Sequence, residues 1–262
     1  MPASPGAALV FDPAVALSFA LVLTRVAGML TFLPLPFLRQ GPDLARIVWA
    51  LTWSMALYPF WPRLEPPFTP ARLAGWALVE AFWGVGSGLL TGLLAEAFVL
   101  SAQLAATQAG YSYATSIDPN SQADSGVLPV LGQLTASLLF FATGLDRAVF
   151  AVFAESLRAL PPGSVAIPGA ASGLPVLALA GLLFSTALRL ALPVIGLLLL
   201  IDVALALVSR LNQQLQLLTL AFPAKMLLTL FLLGLLGPAV VLAAEAIGVR
   251  ILEGLRRFWG LA

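Results

Sequence analysis

The apolar run 73–100 does not stop at the length of a membrane span. It continues through Ala102, Ala105 and Ala106 to Ala109, giving one helix of more than 35 residues. At about 1.5 Å per residue it exceeds the roughly 30 Å hydrocarbon core of a bilayer. Such an element is kinked, or is partly buried against protein instead of lipid. Five further apolar runs surround it, at 14–33, 44–61, 127–145, 174–201 and 215–246. Prolines divide them: Pro34 and Pro36, then Pro62 through Pro70, and Pro161-Pro162-Gly163 before Gly173. Proline ends helices because it lacks an N–H and crowds the preceding turn. Pro193 and Pro223 fall inside the last two runs and predict kinks there.

The fold class is therefore all-α: an integral membrane protein of about six hydrophobic helical segments in one integrated unit. Composition agrees, with 60% hydrophobic and 10% charged residues where soluble domains average about 45–50% and about 25%. The net charge of +1 and the scattered basic residues leave no footprint for nucleic acid. The chain has no Cys and no His. That removes thiolate metal sites, disulfides, Cys nucleophiles and His-based acid–base chemistry, and no cofactor is expected. The first run reads as a retained helix: no Lys or Arg precedes it, Arg25 lies inside it, and no small-x-small cleavage pattern follows.

With six spans, Arg63, Arg72, Arg147, Arg158, Arg250, Arg256 and Arg257 fall on one side, and Arg39, Arg46 and Arg210 on the other. The positive-inside rule then makes both termini cytoplasmic and puts the 110–126 segment on the opposite side.

Gly84, Gly88 and Gly92 share one helical face. Missing side chains there permit close backbone approach, either within the chain or as a face for other subunits. No Lys-Ser/Thr follows them, so they are not a phosphate loop. Arg25, Glu80, Glu96, Arg189, Asp202, Lys225 and Glu245 lie in or beside apolar runs. Charges so placed face a bundle interior, a partner or water. Glu80 and Glu96 stand about 24 Å apart on one helix and cannot pair; paired structural charges are favoured over a proton relay. Ser185, Thr186 and Ser209 read as hydroxyls bonded back to helix carbonyls. The polar tip 211–216 is a turn, or it faces a gate or partner.

Gly110 to Gly126, GYSYATSIDPNSQADSG, is the longest polar interval, yet it holds no Lys or Arg and only Asp118 and Asp124 as acids. A plain surface loop of that length carries more charge. This one suits irregular backbone that packs against protein or lines a water-filled cavity.

Several ordered segments resemble the FliR family of flagellar export-gate subunits, and more distantly its injectisome T-subunit counterparts. Near the N-terminus they are Arg25-Val26-Ala27-Gly28, Pro34, Arg46 and Pro59. The centre matches best, with Gly84-Val85-Gly86-Ser87-Gly88, Gln108-Ala109-Gly110, Asp118-Pro119-Asn120-Ser121-Gln122 and Pro129-Val130-Leu131. Leu139-Phe140-Phe141, Gly144, Ser156 and Pro161 follow, then Leu192-Pro193, Leu207-Val208-Ser209-Arg210 and Ala221-Phe222-Pro223. The match runs over about 20–240. After Gly144 this chain reads Leu145-Asp146-Arg147, where flagellar members usually carry a His; any role of that His is not carried over.

The resemblance implies long kinked helical hairpins, with a FliP-like part over about 1–170 followed by a FliQ-like part over about 171–262. It implies a non-enzymatic subunit of a right-handed helical gate at the bacterial inner membrane, in the flagellar basal body, with much of the subunit in the periplasmic plane rather than threaded through lipid. Its partners would be FliP-like, FliQ-like and FlhB-like subunits, membrane lipid and exported flagellar proteins. The family's central loop plugs the closed pore. Carried over, the plug comprises Gly110, Tyr111, Ser112, Tyr113, Ala114, Thr115, Ser116, Ile117, Asp118, Pro119, Asn120, Ser121 and Gln122. An injectisome gate subunit and, less favoured, a secondary transporter using the embedded charges are the alternatives; a membrane enzyme is poorly supported.

Overall fold

A computed structural model describes residues 12–35, 41–111, 126–164, 174–211 and 217–261. Eight α-helices form among them: α1 (Pro13–Phe32), α2 (Asp43–Ala56), α3 (Pro70–Ala109), α4 (Val127–Ala142), α5 (Leu145–Ala159), α6 (Leu174–Leu211), α7 (Leu217–Leu235) and α8 (Gly237–Phe258). Their starts follow from local chemistry. Asp12 accepts the Ala14 N–H at 2.9 Å with Pro13 opening α1, and Thr69 accepts the Arg72 N–H at 3.4 Å with Pro70 opening α3. A short polar side chain before a proline supplies an acceptor where the first turn has none.

The 40-residue α3 is unbroken and is the axis of the fold, packing on α1, α4, α6, α7 and α8. At about 60 Å it is twice the length that a bilayer core needs. Two hairpins result, each with one long helix going out and a bent pair of helices returning. After α3, α4 and α5 return with a 69° bend; after α6, α7 and α8 return with a 57° bend. The bends sit at Gly144, whose φ of 70° only glycine adopts readily, and at Leu236-Gly237-Pro238, where the proline opens α8. Pro193 and Pro223 lie within α6 and α7 without interrupting either helix.

The second apolar run departs from expectation. Over 44–61 a span is predicted, but α2 has 14 residues, about 21 Å, and gives way to a single 3-10 turn at Tyr58–Phe60. Pro59 and Pro62 cut the helix short of a crossing. Among the described residues, α1, α3 and α6 are long and apolar enough to cross a membrane alone, and each bent pair adds one more if it crosses as a unit, giving three to five instead of six. The chain is a membrane protein. Its core joins Val22, Val26 and Met29 of α1 to Leu90 and Leu94 of α3, Phe140, Phe153, and Ile251 and Leu255 of α8. Outward faces remain apolar: Leu177, Phe184 and Leu200 on α6 are exposed.

Candidate functional site

The 110–126 interval leaves α3 through a tightly built root. Gly110 takes the left-handed conformation at φ 87°, and the Tyr111 N–H reaches back to the Ala106 carbonyl at 3.1 Å. This is a glycine-dependent helix stop, in which the residue past the cap satisfies an orphan carbonyl. Residue 110 has a second reason to be glycine. A Cβ there would stand 2.6 Å from Cδ1 of Phe222 on α7. Tyr111 then donates its hydroxyl to the Met226 carbonyl at 3.2 Å, and burial raises its phenol above the ordinary range. The root thus rests on Phe222 and Met226, which flank Pro223 and Lys225.

One turn away, three polar side chains from three helices meet. Lys225 Nζ lies 2.7 Å from Asp202 Oδ1, and Gln108 Nε2 donates to Asp202 Oδ2 at 3.0 Å. Lys225 is nearly buried and Asp202 partly open. Thr229 bonds back to the Lys225 carbonyl. Around them stand Ala105, Ala109, Val194 and Leu198, all fully buried. Two members of the predicted plug, Gly110 and Tyr111, are therefore seated at the α3–α6–α7 junction. The others, Ser112, Tyr113, Ala114, Thr115, Ser116, Ile117, Asp118, Pro119, Asn120, Ser121 and Gln122, lie outside the described residues, as does the tip 212–216.

The other embedded charges divide. Arg25 Nε pairs with Glu80 Oε2, each side chain 1% exposed. Glu80 Oε1 also accepts the Gly163 N–H at 3.2 Å, and Arg25 lies over the Trp259 ring at 5.0 Å. This pair ties α1 to α3, to the turn after α5 and to the C-terminal segment. Glu96, Arg189 and Glu245 are exposed on helix surfaces. Glu80 and Glu96 do not meet.

Gly84, Gly88 and Gly92 face α1. Added Cβ atoms would stand 2.2 Å from the Arg25 carbonyl oxygen, 2.5 Å from that of Met29 and 2.6 Å from that of Phe32. Numbering rises together along both helices, so α1 and α3 run parallel. The face is filled by the same chain. Gly86, between them, meets the Phe258 ring instead.

Sequence reasoning does not select Gln108, Phe222 or Met226 as one site. The traces are slight: Gln108 and Phe222 each fall in a segment that carries the family resemblance, Gln108 two residues before Gly110 and Phe222 beside an internal proline. Likewise no spacing rule reveals that Arg25 finds Glu80 or that Lys225 finds Asp202, because each pairing is set by how helices far apart in sequence come together.

Comparison with known proteins gives this architecture relatives. The chain is 26% identical over 219 residues to the flagellar biosynthetic protein FliR of Escherichia coli K12, covering 83% of each chain. It is 29% identical over 226 residues to FliR of Pectobacterium carotovorum, covering 84% of each. With FliR of Caulobacter vibrioides it shares 27% identity over 218 residues, 82% of this chain and 86% of the relative. The model of the bacterial export proteins, family 1, matches residues 16–247, taking in α3, the loop root and the Asp202–Lys225 pair. The chain belongs to the bacterial export proteins, family 1.

Proposed function

We propose that this chain is a core subunit of the flagellar protein-export apparatus, helping to form the channel for unfolded flagellar proteins and sealing it at rest with the segment Gly110–Gln122. The observation that carries the reading is the built root of that segment. A run rich in Gly, Ser, Thr and Tyr, with no Lys or Arg and Asp118 as its one acid, leaves α3 at a glycine stop wedged against Phe222, beside the Gln108–Asp202–Lys225 cluster. A fixed root gives a short segment a defined sweep. Small hydroxyls pack without burying charge and tolerate water when displaced.

The role is structural. Energy comes from other components, and the embedded charges hold helices together. FliP-like, FliQ-like and FlhB-like subunits are the partners proposed, in the inner membrane at the flagellar basal body. The exposed apolar faces of α6 and of the bent α7–α8 arm supply surface for such neighbours. The hairpin α3–α4–α5 together with α1 and α2 corresponds, on this reading, to the FliP-like part to about residue 170. The hairpin α6–α7–α8 corresponds to the FliQ-like part from about 171.

Deleting Ser112–Asn120 tests the seal. Cells carrying the variant, with the protein present at normal level in its complex, should become permeable to ions or small solutes. An unchanged permeability in cells with correctly assembled variant would sink the sealing role. Copurification with FliP-like and FliQ-like partners under mild conditions tests the gate itself, and migration only as a small monomer or dimer would count against it.

A further inference from the structure

The end of the bundle opposite the loop root holds an open cleft of about 520 Å³ that the proposed function does not use. Its walls are the segment 59–65, the first turn of α3 and the chain just after α5. Three exposed arginines, Arg63, Arg72 and Arg158, line it against a single carboxylate, Glu65. Among the described residues none of the three forms an ion pair; the pairs Arg25–Glu80, Arg46–Asp43, Lys225–Asp202 and Arg250–Glu253 all lie elsewhere.

Two of the guanidinium groups lie over aromatic rings. Arg72 Cζ lies 4.7 Å from the Trp76 ring centre, and Arg158 Cζ lies 4.6 Å from that of Phe60. A cation–π contact orders a guanidinium while leaving edge N–H groups for an acceptor in the guanidinium plane, the geometry that carboxylates and phosphates accept; one of them, on Arg72 Nη1, already donates to the Pro67 carbonyl at 3.5 Å. Trp76 is 4% exposed, and its Nε1–H is buried without an acceptor. Buried donors without partners are uncommon.

Position decides which ligand. Because α1 and α3 run parallel and both begin at this end, the cleft sits where two membrane-length helices start. Tyr58, Trp61 and Trp76 gather there, as aromatic residues do at membrane boundaries. The helix that leads into the cleft, α2, exposes apolar side chains over much of its surface, with Ile47, Leu51 and Met55 forming one row at four-residue spacing and Leu44, Val48 and Trp49 exposed beside it. A free anion has no use for such a row, whereas an acyl chain does.

We propose that this cleft binds the phosphate headgroup of an anionic phospholipid, with Arg63, Arg72 and Arg158 as its ligands and an acyl chain along Ile47, Leu51 and Met55. Basic pockets between helices at a membrane boundary recognise such headgroups. The lipid fastens the 57–69 connection to the start of α3 and the end of α5.

The test uses the full chain, purified in uncharged detergent and stripped of lipid, in native mass spectrometry. Dioleoyl phosphatidylglycerol and dioleoyl phosphatidylcholine are titrated in parallel. Retention of the anionic lipid at a concentration lower by about tenfold or more is expected, since each arginine near the phosphate contributes roughly fivefold. The double variant Arg63→Gln/Arg158→Gln should cut the preference to the roughly fivefold that Arg72 alone supplies, with unchanged circular dichroism, and Arg158→Lys should keep most of the preference. Equal binding of the two lipids by the unsubstituted chain overturns the proposal. So does a preference that the double variant leaves undiminished, or that disappears instead with Arg256→Gln/Arg257→Gln. If millimolar inorganic phosphate displaces phosphatidylglycerol completely, the cleft holds a free anion and the lipid assignment fails. Lipid binding that ignores the double variant, while subunit association is lost, assigns the cleft to a protein partner and equally refutes it.

Discussion

Lys225 Nζ meets Asp202 Oδ1 at 2.7 Å across the two helices of the second hairpin, and the two ends of that contact differ in their access to water. The Lys225 side chain is 9% exposed and that of Asp202 is 40%. Removing Asp202 strands a nearly buried ammonium, while removing Lys225 leaves a carboxylate that water and Gln108 can still serve. Asp202→Ala should therefore destabilise more than Lys225→Met. Breaking a buried pair costs about 3–5 kcal/mol; with one partner partly open, we expect roughly 1–3 kcal/mol for Asp202→Ala, discounting for solvent. Thermal unfolding of the detergent-solubilised variants, followed by tryptophan fluorescence, checks the order. Equal losses would mean that the asymmetry in exposure carries no energetic weight.

The glycine face makes a sharper contrast. Gly88→Ala puts a methyl 2.5 Å from the Met29 carbonyl oxygen, and backbone cannot swing aside as a side chain can. Overpacking of this kind costs about 1–3 kcal/mol. Gly75→Ala, on the same helix with nothing within 4 Å of the added atom, should instead stabilise by about 0.5–1 kcal/mol through helix propensity. The two variants should move the unfolding temperature in opposite directions.

These glycines also mark how far the sequence can be read. Four-residue spacing places Gly84, Gly88 and Gly92 on one face, but periodicity is blind to what fills that face; α1 does so because Gly28 offers a matching close approach to Val85. The long α3 is legible because its apolar run is continuous. The span 44–61 misleads because average hydropathy does not register the two prolines that end α2 early. At the site, the unusual composition of 110–126 is visible in sequence. Its seat is not, since Phe222 and Met226 lie more than 100 residues away and arrive by the return of the second hairpin.

Arg25 and Glu80 give a test of whether their buried pair stabilises or specifies. Glu80→Gln leaves the guanidinium without a counter-charge in a site 1% exposed, and about 3–5 kcal/mol is expected to be lost. Arg25→Met/Glu80→Leu removes both charges and should recover most of that loss, because two desolvation costs vanish together. If the double variant is as unstable as Glu80→Gln, the pair contributes more than charge neutralisation, and the Gly163 N–H left without its acceptor is the first place to look.

Tyr111 gives the loop root a pH dependence. Burial raises its phenol above the ordinary value of 10.0, so the folded state holds the proton more tightly than the unfolded chain. Its contribution is therefore fully present below pH 10 and is lost as pH rises through the raised value. Tyr111→Phe removes the bond to the Met226 carbonyl, a loss of about 0.5–1.5 kcal/mol at neutral pH. The stability gap between the two proteins should then narrow above pH 10. A gap that stays constant to high alkalinity would show that the phenol titrates alike in the folded and unfolded chain, so that burial at the root leaves its pKa unshifted.

Gly110 and Phe222 allow the root to be loosened in two separable ways. Gly110→Ala carries a backbone penalty, since its φ of 87° costs an L residue about 1–2 kcal/mol. It also carries a steric one, the methyl standing 2.6 Å from the Phe222 ring. Only the second depends on the ring. In a Phe222→Ala background the steric part vanishes while the backbone part stays, so the cost of Gly110→Ala should fall by about 1–2 kcal/mol, a coupling readable in a double-mutant cycle. The same four proteins separate seating from sealing in cells. Gly110→Ala displaces the segment from its seat and should raise membrane permeability. Adding Phe222→Ala should lower it again, because the added methyl then fits into the space that the ring has vacated. Stability coupling without any change in permeability would leave the contact as a helix stop and nothing more.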